Sequence, residues 1–147
     1  MVHGSPDLSG AVTERLENAG QRLTGNRSAI VDVLGSAGRP MTIPEILEVR
    51  PDLAQSSVYR NLVVLEQAGL VHRIVTNDEF ARYELAEDLT GHHHHLICAN
   101  CGSVEDIPPI PALETAMDSA ITQVARRTGF RTETHRIDLI GLCVNCV

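Results

Sequence analysis

GHHHHLICANCG, Gly91–Gly102, sets four consecutive histidines six residues ahead of a Cys-x-x-Cys pair. The run lies in mid-chain, where no purification tag belongs, so it reads as a buried strand or as a metal site. His92–Cys98 fits a strand ending in a tight turn at the cysteines. Successive strand side chains alternate between faces. His93 and His95 then point one way, His92 and His94 the other, and one run can supply an imidazole pair to each of two sites. Neutral imidazole ligates Zn, Fe, Ni and Mn, so the pairs leave the ion open.

Toward the C-terminus the pattern continues with a strand, Ser103–Ile107, and a break at PPIP. A helix follows from about Pro111 to Thr128, with Leu113, Met117, Ile121 and Val124 on one side. A last strand, Phe130–Leu142, runs into CVNC. Strand, strand, helix, strand makes a small α/β domain. Cys98-x-x-Cys101 and Cys143-x-x-Cys146 are two knuckles, each placing two thiolates on one ion, and four thiolates in a tetrahedron favour zinc. The alternative is two redox pairs, but a thioredoxin-type pair should open a helix after a strand. Further ligands for the imidazole pairs are available at His72, Glu84, Asp106, Glu114 and His135.

Toward the N-terminus the period changes to helical. Asp7 to about Gly20 carries Val12, Leu16 and Ala19 on one side. Thr24 caps a helix holding Ile30, Val31 and Leu34 inward, ending near Gly35–Gly38. Thr42 precedes IPEILEVR, with Pro44 in the first turn. Ser56 or Ser57 caps the next helix, which carries Val58, Leu62 and Leu65 and stops at Gly69. LVHRIVTNDEFARYELA then alternates in two runs around Thr76–Asn77–Asp78–Glu79, a hairpin pattern. Short helices followed by a hairpin predict a winged helix-turn-helix whose Ser56–Ala68 helix enters the major groove. Its first turn would present Ser56, Ser57, Tyr59 and Arg60 to phosphates and base edges. A helical bundle with no DNA role fits the same pattern. The predicted division is residues 1–85, an acidic hinge at 86–91, and 92–147.

Composition bounds the alternatives. The chain has 147 residues, 43% of them hydrophobic and only 3% aromatic, so its cores must be aliphatic. No apolar run approaches the roughly 18–20 residues of a membrane span, and MVHGSPDLSG lacks the regions of a signal peptide. A cytoplasmic location is the expectation, and four cysteines there point to metal or redox chemistry before disulfides. The net charge of −7 argues weakly against nucleic acid. Yet all twelve basic residues are arginines, eight of them before residue 86, and arginine has the planar fork suited to phosphate and guanine. No His-Glu-x-x-His helix or general base beside an open zinc supports a zinc hydrolase, so no enzyme is expected. A zinc-ribbon interaction module without DNA binding is the other competitor.

QRLTGNRSAIVDVL, SSVYRNLVVLEQAGLV, RYEL, HHHHLICANCG and GLCVNC, in this order and spacing, resemble the ferric uptake regulator family of metal-dependent bacterial repressors from about Leu16 to Val147. The resemblance implies a winged-helix domain hinged to an α/β dimerisation domain, and homodimers on palindromic double-stranded operators. It implies structural Zn(II) on Cys98, Cys101, Cys143 and Cys146. It implies a hinge sensor on His72, Glu84, His93 and His95, and a second site on His92, His94, Glu114 and His135. Asp106 matches a position that some iron- and manganese-type sites use. Arg22 and Arg27 would lie near the DNA backbone, with TGNR replacing the more usual TPQR. Ala86 stands where zinc-sensing members carry a cysteine, and Arg39-Pro40 where iron-type members carry a histidine. The hinge set is therefore a hybrid, compatible with Zn(II), Fe(II) or Mn(II), and the zinc pattern is preferred to iron. A peroxide sensor, in which bound iron oxidises a ligand histidine, is the alternative within the family.

Overall fold

Thr24 has extended backbone, and its side-chain oxygen accepts from the Arg27 amide, which opens helix α2 (Gly25–Ala37). Gly38, in the left-handed region at φ 67°, closes it. The computed structural model describes residues 6–76 and 78–147. Helix α1 (Pro6–Asn18) precedes α2. Strand β1 (Met41–Thr42) then leads directly into helix α3 (Ile43–Val49). There Thr42 and Glu45 form a reciprocal capping box and Pro44 sits in the first turn, as the sequence predicts. Helix α4 (Gln55–Gln67) departs from expectation at its start: its N-cap is Ala54, with no side-chain cap bond. Ser56 and Ser57 lie within the first turn instead. The Ser57 hydroxyl accepts from Asn26 (3.0 Å) and Asn61 (3.2 Å), so it joins α4 to the start of α2 rather than capping.

The hairpin forms β2 (Val71–Val75) and β3 (Ala81–Leu85), antiparallel with His72 opposite Glu84. Asn77, in the predicted turn, is outside the described residues. Strand β1 pairs with the other edge of β3, giving the order β1-β3-β2. Two residues of strand lie below what periodicity can reveal. The aliphatic core lies here: Leu16, Ile30, Ile46, Leu62, Leu65 and Leu70 are fully buried.

Residues of the predicted hinge form a single turn, α5 (Glu87–Thr90). Strand β4 (His94–Cys98) follows, antiparallel to β5 (Val104–Ile107), and helix α6 (Pro111–Thr128) has the predicted bounds. The last strand is much shorter than expected: only β6 (Asp138–Gly141) forms, parallel to β4, in the order β5-β4-β6. Residues 130–137 form no strand, although the Ile137 carbonyl accepts from the His95 amide (3.2 Å). The expected inward stripe of α6 is also not buried: Leu113, Met117 and Ile121 are half-buried and Val124 is 45% exposed. Leu139, Ile140 and Leu142 are exposed as well.

The two halves touch at the hairpin tip. The Asp78 carboxylate accepts from the buried Arg82 (Nη1 2.9 Å, Nη2 2.7 Å), from Thr76 and from the Phe80 amide. It packs against Gly102, where φ is 77° and an added Cβ would collide with it. The Arg82 hydrogen bond holds the Asp78 carboxyl down at about 2. A depressed carboxyl stabilises the fold above its unfolded value near 4, and that contribution is lost as pH falls from about 4 to about 2. Asp78→Asn should therefore lower the denaturation midpoint at pH 6, with the gap to the parent closing over that window. A gap that does not vary with pH would contradict the ion pair.

Candidate metal centres and nucleic-acid interface

The β4–β6 ladder sets Cys98 opposite Gly141, and the Ala99 amide donates to the Gly141 carbonyl (2.7 Å), so the two knuckles meet. The sulfurs of Cys98, Cys101, Cys143 and Cys146 all lie within 4.8 Å of one another. Cys101 and Cys143 Sγ are 3.8 Å apart, and tetrahedral Zn–S bonds of about 2.3 Å require about 3.8 Å. The amides of Cys101 and Cys143 donate to Cys98 Sγ (3.5 and 3.4 Å) and hold its thiol down at about 6. Four converging thiols, one already biased toward thiolate, fit zinc.

A second group draws on both halves of the chain. Glu84 comes from β3, His93 and His95 from the run entering β4, and Asp106 from β5 opposite His95. Their ligand atoms lie within 4.8 Å of one another. Glu84 contacts His93 Nε2 at 3.0 Å and His95 Nε2 at 2.8 Å. Asp106 Oδ1 faces the same nitrogens at 3.8 and 3.5 Å and is buried without a hydrogen-bond partner among the described residues. His93 Nδ1 is turned to the Gly91 carbonyl (2.9 Å) and His95 Nδ1 to Asp138 (3.3 Å). With the Nδ1 protons directed outward, both Nε2 lone pairs face two carboxylates, so the interior is all acceptors and calls for a cation or added protons. Burial pushes the Glu84 carboxyl up, but the hydrogen bonds and charge of His95 and His93 outweigh it and leave it below its usual range. Burial and the Glu84 charge push Asp106 up. Burial lowers His93 and His95; the Gly91 carbonyl and then Glu84 more than reverse it at His93, and Glu84 and Asp138 do so at His95. The donors suit Zn(II), Fe(II) or Mn(II).

His72, expected in this set, is not one of the four. It is exposed, and it lines a small pocket shared with Glu84, Glu87, His93 and His95. Asp106 completes the group instead. Arg39, which replaces the iron-type histidine, is ion-paired to Glu45 at 2.5 Å.

A third group sits on the opposite side of the histidine run. His92, His94, Glu114 and His135 have ligand atoms within 4.8 Å of one another. Glu114, in the first turn of α6, reaches His94 at 2.5 Å, His92 at 3.1 Å and His135 at 2.9 Å. His92 Nε2 and His135 Nε2 are 3.1 Å apart, and two nitrogens about 2.0–2.1 Å from one tetrahedral ion would be about 3.3 Å apart. His94 is buried and its Nδ1 lacks a partner among the described residues. The alternation argument survives although the strand itself begins only at His94.

On the far side of the N-terminal half, Tyr59 is 57% exposed and Arg60 and Ser56 are exposed, lining a wide concavity with Ile43 and Gln55. Arg22 is exposed too. Arg27 is committed within the fold: its Nε donates to Asn61 (3.0 Å) and its Nη1 to the Arg22 carbonyl (2.7 Å). The structure thus brings Arg22, Arg27 and Ser57 together where α2 meets α4, whereas Ser56, Tyr59 and Arg60 lie on the side of α4 that looks toward α3. Asn26 and Asn61, which tie that junction together, carry no periodic signal in the sequence.

A winged helix joined to an α/β unit with clustered thiols, imidazoles and carboxylates defines a metal-responsive DNA-binding regulator. The ferric uptake regulator family model matches residues 18–140, and the chain belongs to that family. It is 31% identical to the peroxide operon regulator of Bacillus subtilis over 137 residues, 90% of this chain and 89% of that one. The solved Helicobacter pylori ferric uptake regulator, described as having three functional metal-binding sites, shares the fold with TM-score 0.72 at 24% identity, covering 95% of this chain and 91% of that one. The Pseudomonas aeruginosa ferric uptake regulator solved with manganese aligns with TM-score 0.69 at 26% identity, covering 90% and 98%. Members are metal-dependent transcriptional regulators rather than enzymes, and DNA binding as homodimers is typical of them. No helix among the described residues is long and apolar enough to cross a membrane.

Proposed function

We propose that Glu84, His93, His95 and Asp106 form the regulatory metal site and that its assembly makes the dimer competent for a palindromic operator. The supporting observation is that Glu84 belongs to the hairpin sheet, whereas His95 and Asp106 belong to the sheet after the hinge and His93 directly precedes its strand β4. These four side chains can converge only when β3 lies against β4 and β5. A divalent cation, when bound, supplies the positive charge that makes this convergence favourable. The posture of the winged helix is thereby fixed, and in a dimer that posture sets the separation of the two α4 helices, which must match half-sites about one helical turn or a multiple apart. A coupling of about 1–3 kcal/mol changes operator affinity by roughly 5–150-fold.

The same reading divides the chain at 1–85, 86–91 and 92–147. It assigns structural zinc to the four cysteines and a second ion to His92, His94, Glu114 and His135. The uncovered α6 stripe and the exposed Leu139, Ile140 and Leu142 support dimerisation through the C-terminal half. Replacing His72 by Asp106 makes the sensor two nitrogens and two carboxylates, a harder set that supports Fe(II) or Mn(II) beside Zn(II).

Selection of duplex DNA from a random pool, with Zn(II), Fe(II) or Mn(II) buffered separately, tests this. Palindromes bound only with one of the ions are expected; a sequence preference independent of metal, or none, contradicts it. The identity with a peroxide operon regulator gives a second reading. Mass spectrometry after peroxide treatment of the Fe(II)-loaded chain should then find oxidised His93 or His95.

A further inference from the structure

The acidic turn between the halves has partners on both sides. His92 turns Nε2 toward Glu114 and His135, and its other nitrogen, Nδ1, toward the carboxylate of Glu87 at the start of α5. The next residue, Asp88, faces the other way. It receives the Arg15 guanidinium from α1, and Arg15 Nη1 also donates to the Gly69 carbonyl (3.1 Å), in the turn that follows α4. Consecutive helical residues project about 100° apart, so one turn of backbone can hold the C-terminal half with one carboxylate and the N-terminal half with the next. The turn is pinned at both ends: the Ala86 amide donates to the Leu70 carbonyl (2.8 Å) and the Gly91 amide to the Glu87 carbonyl (2.6 Å). Glu87 also borders the pocket of Glu84, His93 and His95, so both imidazole groups adjoin it.

We propose that Glu87 is a positioning residue for the His92 site and that the Glu87–Asp88 pair carries occupancy of that site to α1 and the end of α4. The proposal rests on reading His92, His94, Glu114 and His135 as a metal site. A ligating imidazole whose outer N–H is held by a carboxylate is fixed in tautomer and orientation and is a better ligand. Loss of such a partner typically costs 10–100-fold in metal affinity. Holding His92 fixes Glu87, hence α5, hence the carboxylate that anchors Arg15. Because linkage is reciprocal, whatever orders α1 also favours metal at His92.

The test uses the full-length chain with its four-cysteine zinc retained and His93→Ala in every sample, so that added Zn(II) reports the His92 site. Zn(II) affinity is measured against a competing chelator, and hydrogen exchange is followed in the peptides covering α5 and α1. Glu87→Ala should weaken Zn(II) about tenfold, and Glu87→Gln, which keeps an acceptor for Nδ1–H, should recover part of the loss. Asp88→Asn should weaken Zn(II) by less than Glu87→Ala does, by only the part contributed through α1, and keep the metal-induced protection of α5, yet abolish that of α1. Unchanged affinity in Glu87→Ala, or intact α1 protection in Asp88→Asn, overturns the proposal. His135→Ala is run alongside: if it still binds Zn(II) as the parent does, the site reading itself falls and the relay with it.

Discussion

Cys98→Ser, or removal of zinc by a strong chelator, is expected to unfold the C-terminal half while leaving the N-terminal half folded. The buried aliphatic cluster is confined to the winged helix and its sheet. Beyond residue 86, the buried hydrophobic residues are Cys98 and Val104, and α6 buries none of its residues within the single chain. A domain of this size with so thin a core depends on a cross-link or a partner. The knuckles supply the cross-link, joining the end of β4 to the end of β6. Structural zinc contributes an apparent ~10–16 kcal/mol in small zinc domains, far more than the few buried side chains here could return. Circular dichroism should lose a helical signal the size of α6, size-exclusion chromatography should show loss of the dimer, and a cooperative melt of the remaining half should persist. A chelated chain that melts and migrates like the zinc form would contradict the assignment of the cysteines.

The second large effect is expected at the hinge. Glu84→Ala and His93→Ala should each leave the dimer and its zinc intact and remove the metal response. The roughly 5–150-fold gain in operator affinity on adding metal should shrink to no gain in a fluorescence anisotropy titration. The fourth ligand is tested by contrast. Asp106→Ala should behave like Glu84→Ala, because Asp106 Oδ1 faces both imidazoles. His72→Ala should keep most of the response, because His72 is exposed and outside the group. The reverse outcome would restore His72 to the sensor and leave unexplained the buried Asp106 oxygen, which has no hydrogen-bond partner among the described residues. Loss of the dimer in His93→Ala would mean that sensor and scaffold had been exchanged.

The contrast between His72 and Asp106 shows where sequence reasoning stops. Cysteine spacing and strand alternation are local properties, and they carried the four-cysteine group and the two faces of the histidine run without further information. Helix starts at Thr24 and Thr42 were equally legible, because capping uses residues three positions apart. The proposed fourth ligand depends on how β3 sits against β5, a relation between segments more than 20 residues apart that no local pattern encodes. His72 and Glu84 do face each other across the hairpin, but His72 is exposed and it is Asp106 whose oxygen joins the group of Glu84, His93 and His95.

Other differences have similar causes. Strand β1 is two residues long and exists because the edge of β3 was free to pair. Ser57 reads as a cap by residue type, yet its hydroxyl is taken by Asn26 and Asn61. The sequence puts an apolar stripe on one side of α6 and a strand over Phe130–Leu142. Within one chain neither is realised: α6 buries none of its residues and the last strand is confined to Asp138–Gly141.

The central claim is that gathering Glu84 with His93, His95 and Asp106 fixes the separation of the two α4 helices in the dimer. It is tested most directly by pulsed dipolar spectroscopy on dimers carrying a non-cysteine spin label at position 59 of each protomer. With metal the distance distribution should be narrow, at a spacing compatible with successive major grooves, and without metal it should be broad; Glu84→Ala should stay broad in both conditions. A distribution in the parent protein that is the same with and without metal would contradict it.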